Sequence, residues 1–182
     1  MKLKKSTLRL ALIMAFALTF GKVWAEDGDQ SLKASPRAID KDKRCPVCNM
    51  YPARYPQLQA QIIFKDASYH AFDGCKDMFK FLLHIRKYDK MHSRKDVAKA
   101  WVKDFNNGEW IEAEKAYYVI GSNLMGAMGK EIVPFEDHMG AMGFHGDRGG
   151  EIVRFVDVTM DLLETMDRGK KPMRREKKKH KH

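Results

Sequence analysis

The stretch AQIIFKDASYHAFDGCKDMFKFLLHIRKY, residues 60–88, decides the fold. Ala60 to Phe64 and Ser68 to Phe72 are strand-like runs, and Lys65-Asp66-Ala67 between them is short and polar enough for a tight connection, which predicts a hairpin. From Cys75 the period changes. Met78, Phe79, Phe81, Leu82, Ile85 and Tyr88 recur at helical spacing, with Asp73 placed to cap the helix and Gly74 just inside it. Strand, strand, helix is therefore the opening order.

Downstream the order continues. Trp101 to Phe105 alternates, Asn106-Asn107-Gly108 turns, and Trp110 to Ala113 returns as a second strand pair. Lys115 to Ile120 reads as another strand and Gly121 to Gly129 as a flexible loop. Ile132 to Phe135 is a short strand whose Pro134 suits an edge. Glu136 to Phe144 reads as a short helix weakened by two glycines, and Glu151 to Val158 as a final strand. Strand–strand–helix–strand thus occurs twice, at roughly 58–113 and 115–158, an internal repeat carried by element order. The expectation is an α+β fold of two small lobes, about 44–113 and 114–160.

The flanks differ from this body. Met1 to Arg9 is basic, Leu10 to Phe20 is apolar, and Val23-Trp24-Ala25 alternates small and large residues, the order of a secretory signal peptide cut after Ala25. The apolar run is too short to span a bilayer comfortably, and no cysteine stands near the cut to accept a lipid. The expected product is soluble and periplasmic. Residues 26–43 read as a linker with little structure. Residues 161–182 read as a basic disordered tail, able at most to touch an anionic membrane surface weakly. The net charge of +10 belongs to the flanks: of 34 basic residues, five lie in the first 25 positions and nine after Met166. Between them stand 20 basic and 22 acidic residues, a near-neutral balance that gives no sign of a nucleic-acid-binding face.

The chemistry concentrates in sulfur. Three cysteines, Cys45, Cys48 and Cys75, are an odd number and so not a disulfide framework. Cys45-Pro46-Val47-Cys48-Asn49-Met50 aims two thiols at one point and adds a thioether. Met125 and Met128, and again Met139 and Met142, lie in two copies of Met-Gly-Ala-Met-Gly. Methionine is often an adaptable core filler, as Met78 is expected to be, but glycine-rich backbone rarely lines a core. His138 and His145 flank the second copy. Three readings stay open. Zinc wants a closed set of four, which Cys45, Cys48 and Cys75 would supply with Asp77 or His70 in a treble clef. Thiol–disulfide exchange wants its cysteine pair at a helix N-terminus after a strand, yet this pair precedes every strand. Cu(I) wants soft thiolate and thioether and tolerates few ligands.

Cys48-Asn49-Met50 after Cys-Pro-Val, the Tyr117-Tyr118-Val119-Ile120-Gly121 strand, Met128-Gly129-Lys130-Glu131-Ile132-Val133-Pro134-Phe135 and Arg148-Gly149-Gly150-Glu151-Ile152-Val153-Arg154-Phe155 together resemble the NosL family, over roughly residues 43–160. The resemblance implies two lobes akin to the N-terminal part of organomercurial lyase and a non-enzymatic copper chaperone for nitrous oxide reductase, with a copper-exporting membrane protein as donor. It implies Cu(I) on Cys48, Met50 and Met128. Cys45 is the expected fourth or transfer ligand, and Met125, His138 and Met139 are further candidates. The family's usual glycine between cysteine and methionine is Asn49 here, which tolerates a left-handed turn.

Overall fold

The structure is a computed structural model that describes residues 34–168. The signal sequence read in residues 1–25 and the basic end from Gly169 onward lie outside the described residues.

Strand β1 (Ala60–Phe64) is buried at all five positions because it is central. It pairs antiparallel with β2 (Tyr69–Phe72), Ala60 opposite Phe72, and on its other side with β3 (Val97–Lys103). With β4 (Trp110–Glu112) the sheet order is β2-β1-β3-β4. The β1–β2 turn closes through Ala67 at φ 66°, with the Asp66 carboxylate accepting from the Ser68 amide at 2.9 Å. Helix α1 (Cys75–Leu83) starts where the sequence predicts and buries Met78, Phe79, Phe81 and Leu82. It breaks at His84, and a separate turn, α2 (Ile85–Tyr88), carries the last predicted helical positions.

A second sheet repeats the plan. Its strands β5 (Tyr117–Ile120), β8 (Val133–Phe135) and β9 (Glu151–Arg154) stand in the order β8-β5-β9. In both sheets the first strand of the repeat is flanked by the second and third, and α3 (His138–Arg148) falls between β8 and β9 as α1 and α2 fall between β2 and β3. Pro134 sits on an edge strand, where its missing N–H breaks no ladder. The predicted loop 121–129 is instead mostly a small hairpin, β6 (Met125–Gly126) with β7 (Gly129–Lys130).

Alternation along β5 covers both faces of this second sheet. Tyr118 and Ile120 enter the main core with α1 and the first sheet, where the Phe79 and Tyr118 rings lie 5.2 Å apart. Val119, Val133 and Phe135 face the other way and pack with Ala141 and Phe144 of α3. The glycines of α3 do not stop it from running past Phe144 to Arg148, because Asp137 caps it through the Gly140 amide at 2.7 Å and those two residues anchor it.

Two boundary expectations are corrected. Residues 161–182 are not all tail: α4 (Met160–Asp167) starts on a Thr159 cap and buries Leu163 and Met166 in the main core. The spacing of those two residues is helical, and the charge run begins only beyond them. Leu163→Ala is expected to cost about 2–5 kcal/mol, read as a drop in the denaturant midpoint. The linker reading also ends too late. Gln61 is buried beneath residue 37 and exchanges hydrogen bonds with the Arg37 backbone, and the Lys43 ammonium lies 4.0 Å from the Tyr69 ring centroid.

Candidate metal centre

The knuckle is built by two backbone bonds. The Cys45 amide donates to the Met50 carbonyl and the Asn49 amide to the Cys45 carbonyl, each at 2.9 Å. Closing so tight a loop puts Asn49 at φ 65°, the left-handed region in which asparagine is tolerated. Val47 and Cys48 pack on the main core, and Cys45 is 2% exposed. Cys48 and Met50 are half-buried. All three cysteines are free thiols.

Both knuckle thiols meet carboxylates of the α1 N-terminus. Cys48 Sγ donates to Asp73 Oδ1 at 3.0 Å, and Cys45 Sγ to Asp77 Oδ2 at 3.7 Å. Asp73 therefore does not cap α1 as the sequence suggests; the N-cap is Gly74, with no side-chain bond of its own. Cys45, Cys48, Asp73 and Asp77 offer four ligand atoms within 4.8 Å of one another. The hydrogen bond with Cys45, then burial, then Asp73 push the Cys48 thiol above its ordinary range, and burial raises the Asp77 carboxyl. The protein without metal holds its protons here, so a metal must displace them.

Neither Cys75 nor His70 joins this cluster. Cys75 is fully buried in the main core, and burial pushes its thiol well above the usual range, so it packs as a small apolar residue. His70 is engaged 2.9 Å from Asp89. The treble clef of three cysteines is thus not the arrangement that forms.

The cap that α1 lacks comes from the short stretch between β7 and β8. Glu131, just after the β6–β7 hairpin, is buried, and its Oε1 accepts from the Lys76 amide at 2.7 Å and the Ile132 amide at 2.9 Å. The Lys76 ammonium, also buried, reaches back to the Met128 carbonyl at 2.5 Å and lies 3.2 Å from Asp167. A Cβ on Gly74 would stand 2.2 Å from Glu131 Oε2, and one on Gly126 2.9 Å from it, so two glycines make the slot for this carboxylate. The hairpin carrying Met125 and Met128 is in this way fastened to the helix end that also meets Cys45 and Cys48.

Burial raises Glu131 from the ordinary 4.5 to about 7, against the two amides and Lys76 that favour its charge. The folded state therefore binds the proton more tightly than the unfolded one. This contribution to stability is full below pH 4.5 and is lost as pH rises through about 7. Glu131→Gln keeps an amide acceptor and is expected to flatten that part of the pH–stability profile, read from denaturant midpoints across the window.

The methionines separate into two groups. Met128 is 49% and Met125 64% exposed on the hairpin beside α1, too open for core fillers. Met139 is 74% exposed, and His138 contacts Tyr117 with ring centroids 5.3 Å apart on the α3 side of the second sheet. The structure does not bring His138 and Met139 to the knuckle, because the sheet lies between. Sequence reading missed Asp73 as a thiol partner and missed Lys76 and Glu131 altogether. An acid after Met-Gly-Lys and an Asp-Gly pair before a helix were the available signals.

Fold and cluster together define a small α+β protein whose two adjacent thiols and two buried carboxylates could ligate a metal at a helix N-terminus. The chain belongs to the NosL family, whose model matches residues 36–163. It is 31% identical over 163 residues to the copper-binding lipoprotein NosL of Stutzerimonas stutzeri, spanning 85% of this chain and 80% of that protein. It is 38% identical over 68 residues to the copper-binding lipoprotein NosL of Achromobacter cycloclastes, 36% of this chain and 35% of that one. The crystal structure of the copper chaperone NosL from Shewanella denitrificans superimposes with a TM-score of 0.61 at 28% identity, over 70% of this chain and 98% of that one. No helix among the described residues is long and apolar enough to cross a membrane.

Proposed function

We propose that this protein is an exported copper chaperone, a carrier rather than a catalyst, that holds Cu(I) on the Cys48 thiolate and the Met50 and Met128 thioethers. Cys45 is the transfer ligand, and Met125 an auxiliary thioether on the same hairpin. The recipient is a copper enzyme of the periplasm, nitrous oxide reductase by family, and the donor a membrane copper exporter. One observation carries the ligand set: the knuckle and the Met128 hairpin are both fastened to the first turn of α1, through Asp73 and Asp77 on one side and Lys76 and Glu131 on the other. A soft ion suits thioethers on glycine-rich backbone, and an open, low-coordinate site suits a protein that must let a partner's ligand attack. The test is competition against a Cu(I) chelator, then transfer of the bound ion to metal-free nitrous oxide reductase. Binding no tighter than that of a protein lacking Cys48 would end this reading.

A second reading is favoured by the two buried carboxylates. Cys45, Cys48, Asp73 and Asp77 form a four-donor sulfur and oxygen set that zinc also accepts. It differs in one respect that an experiment reads directly: zinc has no use for Met50 or Met128.

A further inference from the structure

Away from the thiols, a second cluster joins three segments of the first repeat. His70 on β2, Asp89 at the end of α2 and His92 in the loop before β3 converge, with His70 Nε2 2.9 Å and His92 Nδ1 2.7 Å from the same oxygen, Asp89 Oδ2. One ligand atom from each lies within 4.8 Å of the others. The geometry points to a second metal site, independent of the copper ligands, in which His70 Nε2, His92 Nδ1 and Asp89 Oδ2 hold a borderline divalent ion of the zinc type.

The surroundings are those that a metal site needs beyond its ligands. A ligating imidazole commonly donates its other ring nitrogen to a carboxylate, which fixes tautomer and orientation. His92 has this partner: its Nε2 lies 3.2 Å from Asp66 Oδ2 and 3.3 Å from Ser68 Oγ, both in the β1–β2 turn. The ring is also stacked flat on Phe64, with centroids 3.9 Å apart and planes at 14°. A ligating carboxylate is itself usually hydrogen-bonded, and Asp89 Oδ1 accepts from the Met91 amide at 2.7 Å and the His92 amide at 3.2 Å, leaving Oδ2 as the ligand atom. The His70 ring is held edge-on to Phe64 and Phe81, with centroids 5.5 and 5.1 Å away.

Bonds of about 2.0–2.1 Å in a tetrahedron put neighbouring ligand atoms about 3.4 Å apart, so seating an ion opens these contacts by only about half an ångström. The ion takes the place of shared protons: the one on His92 Nδ1 leaves to solvent, and the one on His70 Nε2 moves to Nδ1. Solvent reaches the site, since the His70 and His92 side chains are 27% and 17% exposed. Two imidazoles and a carboxylate, with no sulfur, select a harder ion than the knuckle does. His70 precedes the thiol partner Asp73 by three residues, about 10 Å along an extended chain, so the two sites are neighbours that do not share a ligand.

The test uses Co(II) as a spectroscopic probe, without oxygen, on the purified full-length protein and on its Cys48→Ser variant. The expected result is one saturable equivalent whose visible d–d absorption persists in Cys48→Ser, without a thiolate charge-transfer band there. His70→Gln and Asp89→Asn should each weaken it at least tenfold, while Cys48→Ser leaves it unchanged. His180 and His182 are present in every variant and so cancel in the comparison. Thermal unfolding of the metal-free variants separates lost ligation from lost folding, and His92→Gln gives a third reading if one variant fails to fold. Binding that keeps its affinity in His70→Gln and Asp89→Asn, or Co(II) absorption that vanishes altogether in Cys48→Ser, would overturn the assignment. Neither outcome bears on Cu(I) binding by Cys48, Met50 and Met128.

Discussion

Cys48→Ser is expected to lower Cu(I) affinity by more than roughly a hundredfold, since even outer partners of metal ligands commonly cost 10–100-fold. The substitution removes the half-buried thiol that stands between the knuckle and Asp73. A serine hydroxyl still donates to Asp73, so the knuckle keeps its hydrogen bond, and the melting temperature of the metal-free protein should move by only a few degrees. Chelator competition reads the first quantity and thermal unfolding the second. A large loss of stability with copper affinity intact would make Cys48 a packing residue and remove the copper reading.

Met128→Leu separates the two metal readings more sharply. Met128 is 49% exposed, so leucine of similar size should change the stability of the metal-free protein by about 1 kcal/mol or less. Leucine has no lone pair, so Cu(I) affinity should fall by more than about tenfold while zinc affinity stays put. Cys75→Ser is the opposite control. A hydroxyl at a fully buried apolar position should destabilise the metal-free protein and leave copper affinity alone, because Cys75 lies outside the cluster. Should Cys75→Ser abolish metal binding and Met128→Leu spare it, the ligand assignment is wrong.

Residues 60–88 announced their hairpin and helix because local spacing and burial agree there: β1 is buried throughout, and α1 buries the apolar positions that the pattern marks. The repeat was legible as element order, and its identical strand order in space follows from pairing each second and third strand with the first. The helix at Met160–Asp167 was hidden by the charge run that follows it, and the break at His84 left no mark that periodicity reads. In the site, the left-handed Asn49 and the exposure of the loop methionines were readable from residue type and glycine content. Of the carboxylates, Asp77 was readable only as one option for a fourth zinc ligand, and Asp73 and Glu131 were not. Asp73 looks like an ordinary helix cap, and only the three-dimensional position of Cys48 turns it toward a thiol. Glu131 caps a helix that begins 56 residues earlier in the chain, with its amide contact to Lys76 at a separation of 55, beyond any local pattern. Met139 opens the same Met-Gly-Ala-Met-Gly signature as the hairpin, with His138 just before it, but alternation on β5 puts their helix on the far side of the sheet.

The unequal anchorage of the two sides of the knuckle has a consequence for the order of hand-over. Cys45 and Cys48 rest on the main core, whereas Met128 rides on a ladder of two residue pairs, Met125 opposite Lys130 and Gly126 opposite Gly129. Lys76 and Glu131 pin that ladder to α1. Of two jaws closing on one object, the one with the shorter lever and the firmer base stays put and the other swings. On the proposed ligand set, an incoming partner would therefore displace the thioether first and meet an ion still gripped by the thiolate, so that cargo passes between proteins without ever being loose in solution.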